Sequence, residues 1–405
     1  MDEKQLLLVE AFFCLQIVKN LLSYNYIKKK ESFSEYGGTM AGMFDVNEFL
    51  KKAVESGASD IHLKVDQPPM IRRNGLILKS KLPPLTKEIM NDIITLITPY
   101  FFRSKIGSET DMDFSYHIKD VSRFRVNVSQ SMYTPNIVFR KIPYEIEKLE
   151  DLGLPGTLRQ FAEYNNGLVL VTGPTGTGKS TTLSSLIDYI NGKFQKHIIT
   201  IEDPVEFVFM DKLCKVSQRQ VGIDTPTFAT GIKYALRQDP DVIFVGEIRD
   251  LETLDAALKA AETGHLVFAT LHTNDAVQTL YRIINMYDPG VRDQVRRQIA
   301  QTLRGTIAQK LVRTADGNGR RPALEVLVVT STVKDLIIKN QIDDIYEYIN
   351  KGGYNNMITM NSSLINLVDA GLITQEIALE ASDNRTEMEQ YFRGVYRGTK
   401  NSDDD

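Results

Sequence analysis

The chain has 405 residues, of which 42% are hydrophobic and 25% are charged. These values are typical of a globular protein with two or three domains. The formal net charge of −4 argues against a general nucleic-acid-binding protein, since such proteins need a basic surface to neutralise phosphates. The two cysteines, Cys14 and Cys214, exclude a disulfide framework or a tetracysteine zinc site and fit a reducing, cytoplasmic setting.

Residues 1–42 differ from the rest of the chain. Their apolar stretches are interrupted by charged and polar residues, and the acidic pair Asp2 and Glu3 stands where a signal peptide carries positive charge. No run of eighteen apolar residues predicts a membrane-spanning helix. The segment is either an amphipathic helix that lies on a membrane or a partner, or it is not part of the native protein. The second interpretation is favoured, because a well-patterned domain begins at Met43.

Residues 43–144 carry the patterns of a small α+β domain. Helices are predicted over residues 45–57 and 86–97, and Asn74-Gly75 is a strong hairpin signal. Strands are predicted from apolar and polar alternation over residues 58–63, 70–72, 76–78, 113–116, 123–128 and 136–141. The charged residues 145–152 are expected to link this domain to the next.

A glycine-rich loop lies between a predicted strand, residues 168–171, and a segment that favours helix from Lys179. The loop completes Gly-x4-Gly-Lys-Ser, the pattern of a phosphate-binding loop. Glycines let backbone N–H groups turn towards phosphates, and the helix N-terminus adds donors and positive potential. Lys179 can reach the β- and γ-phosphates, and the Ser180 hydroxyl can bind Mg²⁺. The predicted nucleotide-binding residues are Gly173, Pro174, Thr175, Gly176, Thr177, Gly178, Lys179, Ser180 and Thr181.

Two further predicted strands end in acidic residues. Residues 198–201 are followed by Glu202, and residues 241–246 are followed by Glu247. Ligands bind at the carboxyl ends of strands in open α/β sheets, so both carboxylates are expected near the phosphate loop. There they would hold the Mg²⁺ shell or orient the attacking water. One acidic residue at the end of a strand could equally well cap a helix. The presence of both Glu202 and Glu247 favours a nucleotide hydrolase.

Histidines bracket the next predicted strand, residues 265–272. His272 is expected at the edge that carries the phosphate loop, where it could contact the γ-phosphate. His265 is expected at the other edge, unless the strand is shorter than its apolar pattern. A zinc site is not expected, because no second ligand pair with metal spacing is present.

The rest of the chain is predicted to be mainly helical. Apolar residues recur every four positions from Val291 to Leu311, as in the buried stripe of a helix, and the arginines on its other faces are expected to be solvated. Residues 323–329 are predicted to form the last strand of a core domain that covers residues 153–330. Within a C-terminal helical segment, residues 331–396, helices are predicted over residues 333–340, 342–352 and 362–370. The polar, acidic tail, residues 397–405, is expected to be disordered.

The sequence resembles the ATPases of type II secretion and type IV pili. Residues 236–250 match their acidic-strand signature, residues 200–204 are similar to their Asp box, and residues 263–273 are similar to their His box. The match runs from about Met43 to Phe392.

Within this superfamily, the chain is most similar to the type IV pilus retraction (twitching motility) ATPases, the PilT/PilU family. Its first domain begins near Met43, which leaves no room for the additional N-terminal domain of the assembly ATPases. The tetracysteine zinc module of those ATPases is missing. Residues 58–69 and 357–364 look like retraction-type sequence.

The resemblance implies a RecA-like P-loop NTPase domain behind a small PAS-like domain. It implies a homohexamer that binds ATP and Mg²⁺ between the two domains, at subunit interfaces. Ser180 and Glu247 would bind Mg²⁺, and which of Glu202 and Glu247 positions the attacking water stays open. Arg123 and Arg125 match small-domain arginines that reach the nucleotide when the domains close, although either could instead form an ion pair on its strand.

The function implied is a cytoplasmic ATPase, peripheral at the inner face of the cytoplasmic membrane. It would turn an inner-membrane pilus platform protein and thereby retract the pilus, without nucleic acid. One alternative is an ATPase for pilus assembly or type II secretion. A second is a weakly hydrolysing accessory paralogue, because residues 332–337 do not match a motif linked to retraction in the family. A nucleotide-gated regulatory module is less compatible with the acidic and His boxes. A DNA translocase is less compatible with the acidic net charge.

Overall fold

Two β-sheets organise the computed structural model, which describes residues 44–73, 75–142, 146–351 and 356–394. The predicted extension, residues 1–42, lies outside the described residues, as do Asn74 of the predicted hairpin and the predicted acidic tail. The described residues 44–49 belong to one compact unit and the residues from Leu50 onwards to a second.

The N-terminal sheet domain contains α1 (Val46–Glu55), β1 (Asp60–Lys64), β2 (Met70–Arg73), β3 (Leu76–Lys79), α2 (Lys87–Ile97), β4 (Met112–Ile118), β5 (Ser122–Ser131) and β6 (Thr134–Ile142). Its six strands lie in the order β3-β2-β1-β6-β5-β4, and every neighbouring pair is antiparallel. The helix α2 begins after Thr86, whose hydroxyl accepts a hydrogen bond from Ile89 N, as an N-cap does. Alternate residues of β5, including Phe124 and Val126, are buried, so one face of the sheet forms the core of this domain.

The larger core domain alternates helices and strands in a second sheet. Its elements are α3 (Arg159–Glu163), β7 (Gly167–Thr172), α4 (Lys179–Lys193), β8 (His197–Glu202), β9 (Lys215–Gln220), α5 (Phe228–Ala235), β10 (Val242–Val245), α6 (Leu251–Glu262), β11 (Leu266–Leu271), α7 (Ala276–Asn285), α8 (Arg292–Thr302), β12 (Leu303–Arg313) and β13 (Arg320–Val328). The strands lie in the order β13-β12-β7-β11-β10-β8-β9. β13 is antiparallel to β12, and the other neighbours are parallel.

Both faces of this second sheet are covered by helices. Leu168 and Leu170 of β7 belong to one buried cluster with residues of α6 and α8, whereas Val169 and Val171 belong to another with residues of α4. Central strands buried on both faces are apolar throughout, which explains why the sequence predicted them. Because these strands are parallel, their carboxyl ends meet at one edge, and the loop after β7 opens there.

The predicted long helix over residues 291–311 is wrong in its second half. The helix α8 ends at Thr302, and the residues that follow form β12, which pairs with both β7 and β13. A period of four is near the helical period of about 3.6 and is also a multiple of the strand period of two, so the apolar pattern fits either element. Gly305 fits the strand, because it lies so close to β13 that a Cβ at this position would be 2.4 Å from the Leu327 carbonyl oxygen.

Helices complete the described chain after the second sheet: α9 (Ser331–Ile338), α10 (Asp344–Lys351), α11 (Met360–Asp369), α12 (Gln375–Ala381) and α13 (Arg385–Phe392). The last three pack against β12 and β13 through a cluster that includes Val312, Ala323 and Leu364. Lys310 on β12 donates from Nζ to the Ala381 carbonyl at 2.8 Å and to Asp383 Oδ1 at 2.6 Å. No described helix is both long and apolar enough to cross a membrane.

A buried carboxyl lies beneath these C-terminal helices. Glu325 on β13 is 3% exposed, and its Oε1 accepts a hydrogen bond from Ala276 N at 2.8 Å. Burial raises the pKa of Glu325 to about 7, and the nearby carboxylates of Asp275 and Asp383 add to the rise. No motif in the sequence points to this residue.

Candidate active site

The glycine-rich loop connects β7 to α4 at the carboxyl edge of the second sheet. Gly173, Gly176 and Gly178 have φ values of 143°, 84° and 85°, a region that side chains other than glycine rarely adopt. At Gly173 there is also no space, since a Cβ would lie 2.4 Å from the Gln309 carbonyl oxygen. The loop therefore depends on glycine for its conformation and for its close approach to β12.

Lys179, the first residue of α4, lies over the loop. Its Nζ donates to the carbonyl oxygens of Gly173 at 2.7 Å and of Pro174 at 2.9 Å. Burial lowers the pKa of Lys179, while the carboxylates of Glu247 and Glu206 act in the opposite direction. The ammonium group is thus largely removed from water and is held by neutral acceptors, which a stronger anionic acceptor can replace.

A cavity of about 600 Å³ opens beside the loop and collects most of the predicted site residues. Those that line it are Thr175, Gly176, Gly178, Lys179, Ser180, Thr181, Glu202, Glu247 and His272. Lining residues that the sequence analysis did not assign to the site are Ser184, Asp203, Pro204, Glu206, Phe228, Phe244, Gly246, Arg249, Thr270, Leu311 and Arg320. The carboxyl ends of β8, β10 and β11 therefore meet the phosphate loop in one space.

Glu202 is the last residue of β8 and is almost fully buried, with 5% of its surface exposed. Its Oε1 accepts hydrogen bonds from Thr200 Oγ1 at 2.6 Å and from Gln218 Nε2 at 3.1 Å, and its Oε2 accepts one from Glu206 N at 3.3 Å. Burial raises the pKa of Glu202 in spite of these donors. A carboxyl with a raised pKa is a stronger base once it is ionised.

Glu247 lies two residues beyond β10, between a histidine and an arginine. Its Oε1 is 3.0 Å from His272 Nε2, and its Oε2 accepts from Arg249 Nε at 2.8 Å. The same arginine lies 3.5 Å from Asp203 Oδ2, and its hydrogen bond to Glu247 raises the pKa of Arg249. The Glu247 carboxylate is therefore held in one orientation from two sides, as functional carboxylates commonly are.

The structure does not bring three of the predicted catalytic residues to this cavity. His265 precedes β11, at the opposite edge of the sheet, and its Nδ1 lies 3.0 Å from the Ala260 carbonyl oxygen. Arg123 and Arg125 lie on β5 of the N-terminal sheet, and Arg125 is exposed. Arg123 contacts Ser115 Oγ at 3.3 Å, and this hydroxyl donates to Gln220 Oε1 of the core domain at 2.7 Å.

A second, smaller cavity of about 320 Å³ adjoins the first. Both are lined by Gly178, Thr181, Leu311 and Arg320. The second cavity is further lined by Glu147, Asp151, Leu152, Leu154, Thr182, Gln309, Arg321 and Pro322. No local sequence pattern predicts this space, because it is built from the predicted linker, α4, β12 and β13, which are far apart along the chain.

Comparisons with known proteins identify the family of the chain. Residues 42–377 match the family described as Type II/IV secretion system protein. The chain is 41% identical over 336 residues to the type IV pilus retraction ATPase PilT of Pseudomonas aeruginosa, covering 83% of this chain and 97% of that protein. It is 37% identical over 344 residues to the type IV pilus ATPase PilU of the same organism, covering 85% and 90%.

A solved structure is also similar to this chain. The crystal structure of the pilus retraction motor PilT with bound ADP is 43% identical, has a TM-score of 0.80, and is matched over 86% of this chain and 99% of that chain. The predicted fold class, a RecA-like ATPase domain behind a small α+β domain with a helical C-terminal segment, is therefore confirmed. The chain is therefore an ATPase. The chain belongs to the family of Type II/IV secretion system proteins, and its relatives in that family include the type IV pilus retraction ATPase PilT.

Proposed function

We propose that this ATPase is a motor of type IV pilus retraction, the role that the name of its PilT relative states. The supporting observation is that the phosphate loop, Lys179 and the carboxylates of Glu202 and Glu247 share one cavity. A motor must hydrolyse its nucleotide, and acids that face the loop are the groups that hydrolysis needs. A nucleotide-gated binding module would need only the loop.

The two adjoining cavities fit the two halves of a nucleotide. The phosphates lie over the loop, where Lys179 Nζ exchanges its carbonyl partners for phosphate oxygens. The ribose and base lie in the second cavity, which begins at Gly178 and Thr181. Leu152 and Leu154 there offer apolar surface to a planar ring, as nucleoside pockets commonly do.

The donor set of the first cavity fits Mg²⁺. Ser180 offers a hydroxyl oxygen and Glu247 a carboxylate oxygen, and Mg²⁺ prefers one or two such protein ligands together with phosphate oxygens and water. No group of three or more His, Cys, Asp and Glu side chains that could hold a metal occurs among the described residues. When bound, the ion offsets phosphate charge.

We assign the role of water activation to Glu202 and the Mg²⁺ shell to Glu247. Glu202 has the raised pKa of a general base, and its Oε2 accepts a single long hydrogen bond, of 3.3 Å, among the side-chain and loop contacts described. Glu247 is instead fixed by Arg249 and His272. A fixed, ionised carboxylate suits ion binding, whereas a buried and more basic one suits proton acceptance.

The chain acts as a homohexamer at the cytoplasmic face of the inner membrane, where it turns a pilus platform protein. The N-terminal domain (residues 43–144) and the core domain (residues 153–330) are joined by a linker (residues 145–152), whose Glu147 carbonyl accepts a hydrogen bond from Ser185 on α4 at 2.7 Å. Arg123 and Arg125 do not reach the cavity in this chain, so they act after domain closure or on a neighbouring subunit.

An accessory role beside a main retraction motor is the second candidate. The observation that favours it is the close similarity to PilU, together with the unmatched sequence of residues 332–337. An assembly or secretion ATPase is less favoured, since the chain is 41% identical to the retraction ATPase PilT over nearly the whole length of that protein.

The first test is steady-state ATP hydrolysis by the purified chain, beside Lys179→Ala, Glu202→Gln and Glu247→Ala, with the particle mass measured with and without ATP and Mg²⁺. A motor gives a particle of six subunits whose hydrolysis all three substitutions abolish. A monomer that turns over ATP no faster than the Lys179→Ala variant would contradict the proposal. Deletion in the host then separates the two candidates, because loss of the main motor abolishes twitching whereas loss of an accessory paralogue leaves part of it.

A further inference from the structure

Gln309 on β12 contacts the phosphate loop at both of its ends. Its side-chain Nε2 donates to the Thr177 carbonyl oxygen at 2.8 Å, and its Oε1 accepts from Thr182 Oγ1 on α4 at 2.7 Å. Its backbone oxygen abuts Gly173, where it leaves no space for a Cβ. The residue is 3% exposed, and the β12–β7 register, which pairs Ala308 with Thr172, places it level with the start of the loop.

The hydrogen bond to Thr177 determines how the next peptide group points. In a trans peptide, the C=O of one residue and the N–H of the next lie in one plane and point in opposite directions. When Gln309 holds the Thr177 carbonyl, the Gly178 N–H therefore points away from the Gln309 side chain. Gly178 lines both cavities, and N–H groups at this end of a phosphate loop are those that bind phosphate oxygens.

We propose that Gln309 is a positioning residue of the nucleotide site, which orients the Thr177–Gly178 peptide so that its N–H can bind a phosphate oxygen. The inference rests on the proposed placement of the nucleotide phosphates over the loop. Gln309 does not touch the reacting atoms, and it acts through the loop backbone. Free of this contact, the glycines at positions 176 and 178 give the loop many alternative conformations, and the nucleotide would have to select one of them at a cost in affinity.

Three variants distinguish the positioning role of Gln309 from a contribution of its side chain to packing alone. Gln309→Met keeps the volume of the side chain and loses both hydrogen bonds. Gln309→Glu keeps an acceptor for Thr182 Oγ1 and loses the donor to Thr177. Lys310→Met is the matched control, because it changes the next residue of the same strand, whose side chain contacts Ala381 and Asp383 instead of the loop.

The measurement is the dissociation constant of the full chain for ADP, by titration calorimetry, with the thermal midpoint of each variant recorded under the same conditions. We expect both Gln309 variants to bind ADP at least about tenfold more weakly, since a lost buried hydrogen bond changes an equilibrium constant by roughly this factor. Lys310→Met is expected to bind ADP within about twofold of the unchanged chain.

A purely structural role would lower the thermal midpoint of the Gln309 variants and leave the ADP affinity of the folded protein unchanged, and this result would overturn the inference. Unchanged ADP affinity in Gln309→Glu would overturn the inference as well, because this variant lacks the hydrogen bond to the Thr177 carbonyl that is proposed to orient the peptide. Failure of the unchanged chain to bind ADP would instead overturn the proposed function, and it would be seen before any variant is compared.

Discussion

His272 Nε2 lies 3.0 Å from Glu247 Oε1, and this contact joins the end of β11 to the loop after β10 at the mouth of the nucleotide cavity. Arg249 holds the other oxygen of the same carboxylate at 2.8 Å. The histidine thus restricts Glu247 and at the same time faces the space above the phosphate loop.

Replacing His272 with alanine is expected to lower kcat for ATP hydrolysis by about 10- to 100-fold, because outer partners of functional groups typically contribute this much. His265→Ala is the comparison, since His265 lies at the opposite edge of the sheet, and it is expected to cause a smaller loss. Steady-state hydrolysis at saturating ATP measures both. Equal losses in the two variants would contradict the position assigned to His272.

Glu202→Gln is expected to abolish hydrolysis and to stabilise the fold at pH values where Glu202 is ionised. Loss of a general base costs roughly 10²–10⁴-fold in rate. The folded-state pKa of Glu202 is raised by burial, so the folded protein binds this proton more tightly than the unfolded chain, and the penalty grows as pH rises through the raised pKa. The glutamine variant has no charge to bury. A lower thermal midpoint for the variant than for the unchanged chain at pH 8 would show that the buried charge of Glu202 does not destabilise the fold.

Glu325→Gln should stabilise the protein at high pH and have little effect at low pH. The pKa of Glu325 is raised from 4.5 to about 7, so its contribution to stability is retained below pH 4.5 and is lost as pH rises towards 7. The loss is on the order of 3 kcal/mol. Glutamine keeps the acceptor for Ala276 N. Urea unfolding at pH 5 and pH 8 measures the difference, and an equal gain at both values would rule out ionisation as its cause.

Gly173→Ala is expected to destroy nucleotide binding, whereas Gly176→Ala is expected to be tolerated better. A Cβ at Gly173 meets the Gln309 backbone, but one at Gly176 meets nothing within 4 Å. Both residues have positive φ, so each variant carries a conformational cost of about 1 kcal/mol, and Gly173→Ala carries the overlap in addition. ADP titration of the two variants checks this order, and a Gly176 variant that binds no better than the Gly173 variant would refute it.

The sequence was sufficient to predict the loop, the central strands and the acids at their ends. These features depend on local pattern: apolar runs buried on both faces, glycines at positive φ, and carboxylates directly after strands. β9 was not predicted because this edge strand carries the polar, half-buried residues Ser217, Gln218 and Arg219 in place of an apolar run. β12 was mistaken for helix because a spacing of four fits both periods.

The contacts that position the site could not be predicted, because they join residues far apart in the sequence. Thr182 and Gln309 are separated by 127 positions, and Gln218 reaches Glu202 from a strand that was not predicted. Once β12 is assigned as helix, nothing in the sequence places Gln309 beside the loop. The amide side chains of Gln218 and Gln309 follow no recognisable sequence spacing. Only the pairing of neighbouring strands places them beside their partners.

Gln309 and Lys310 are adjacent on β12 yet serve opposite faces of the sheet, one the phosphate loop and the other the C-terminal helices. Inserting or deleting one residue between Gly305 and Gln309 would exchange these two side chains, since successive residues of a strand alternate in direction. The turn at residues 315–319, beyond the strand, is exposed, and a change in its length would not reverse the directions of these two side chains. Related chains are therefore expected to differ in length at that turn and to keep the length of β12 constant.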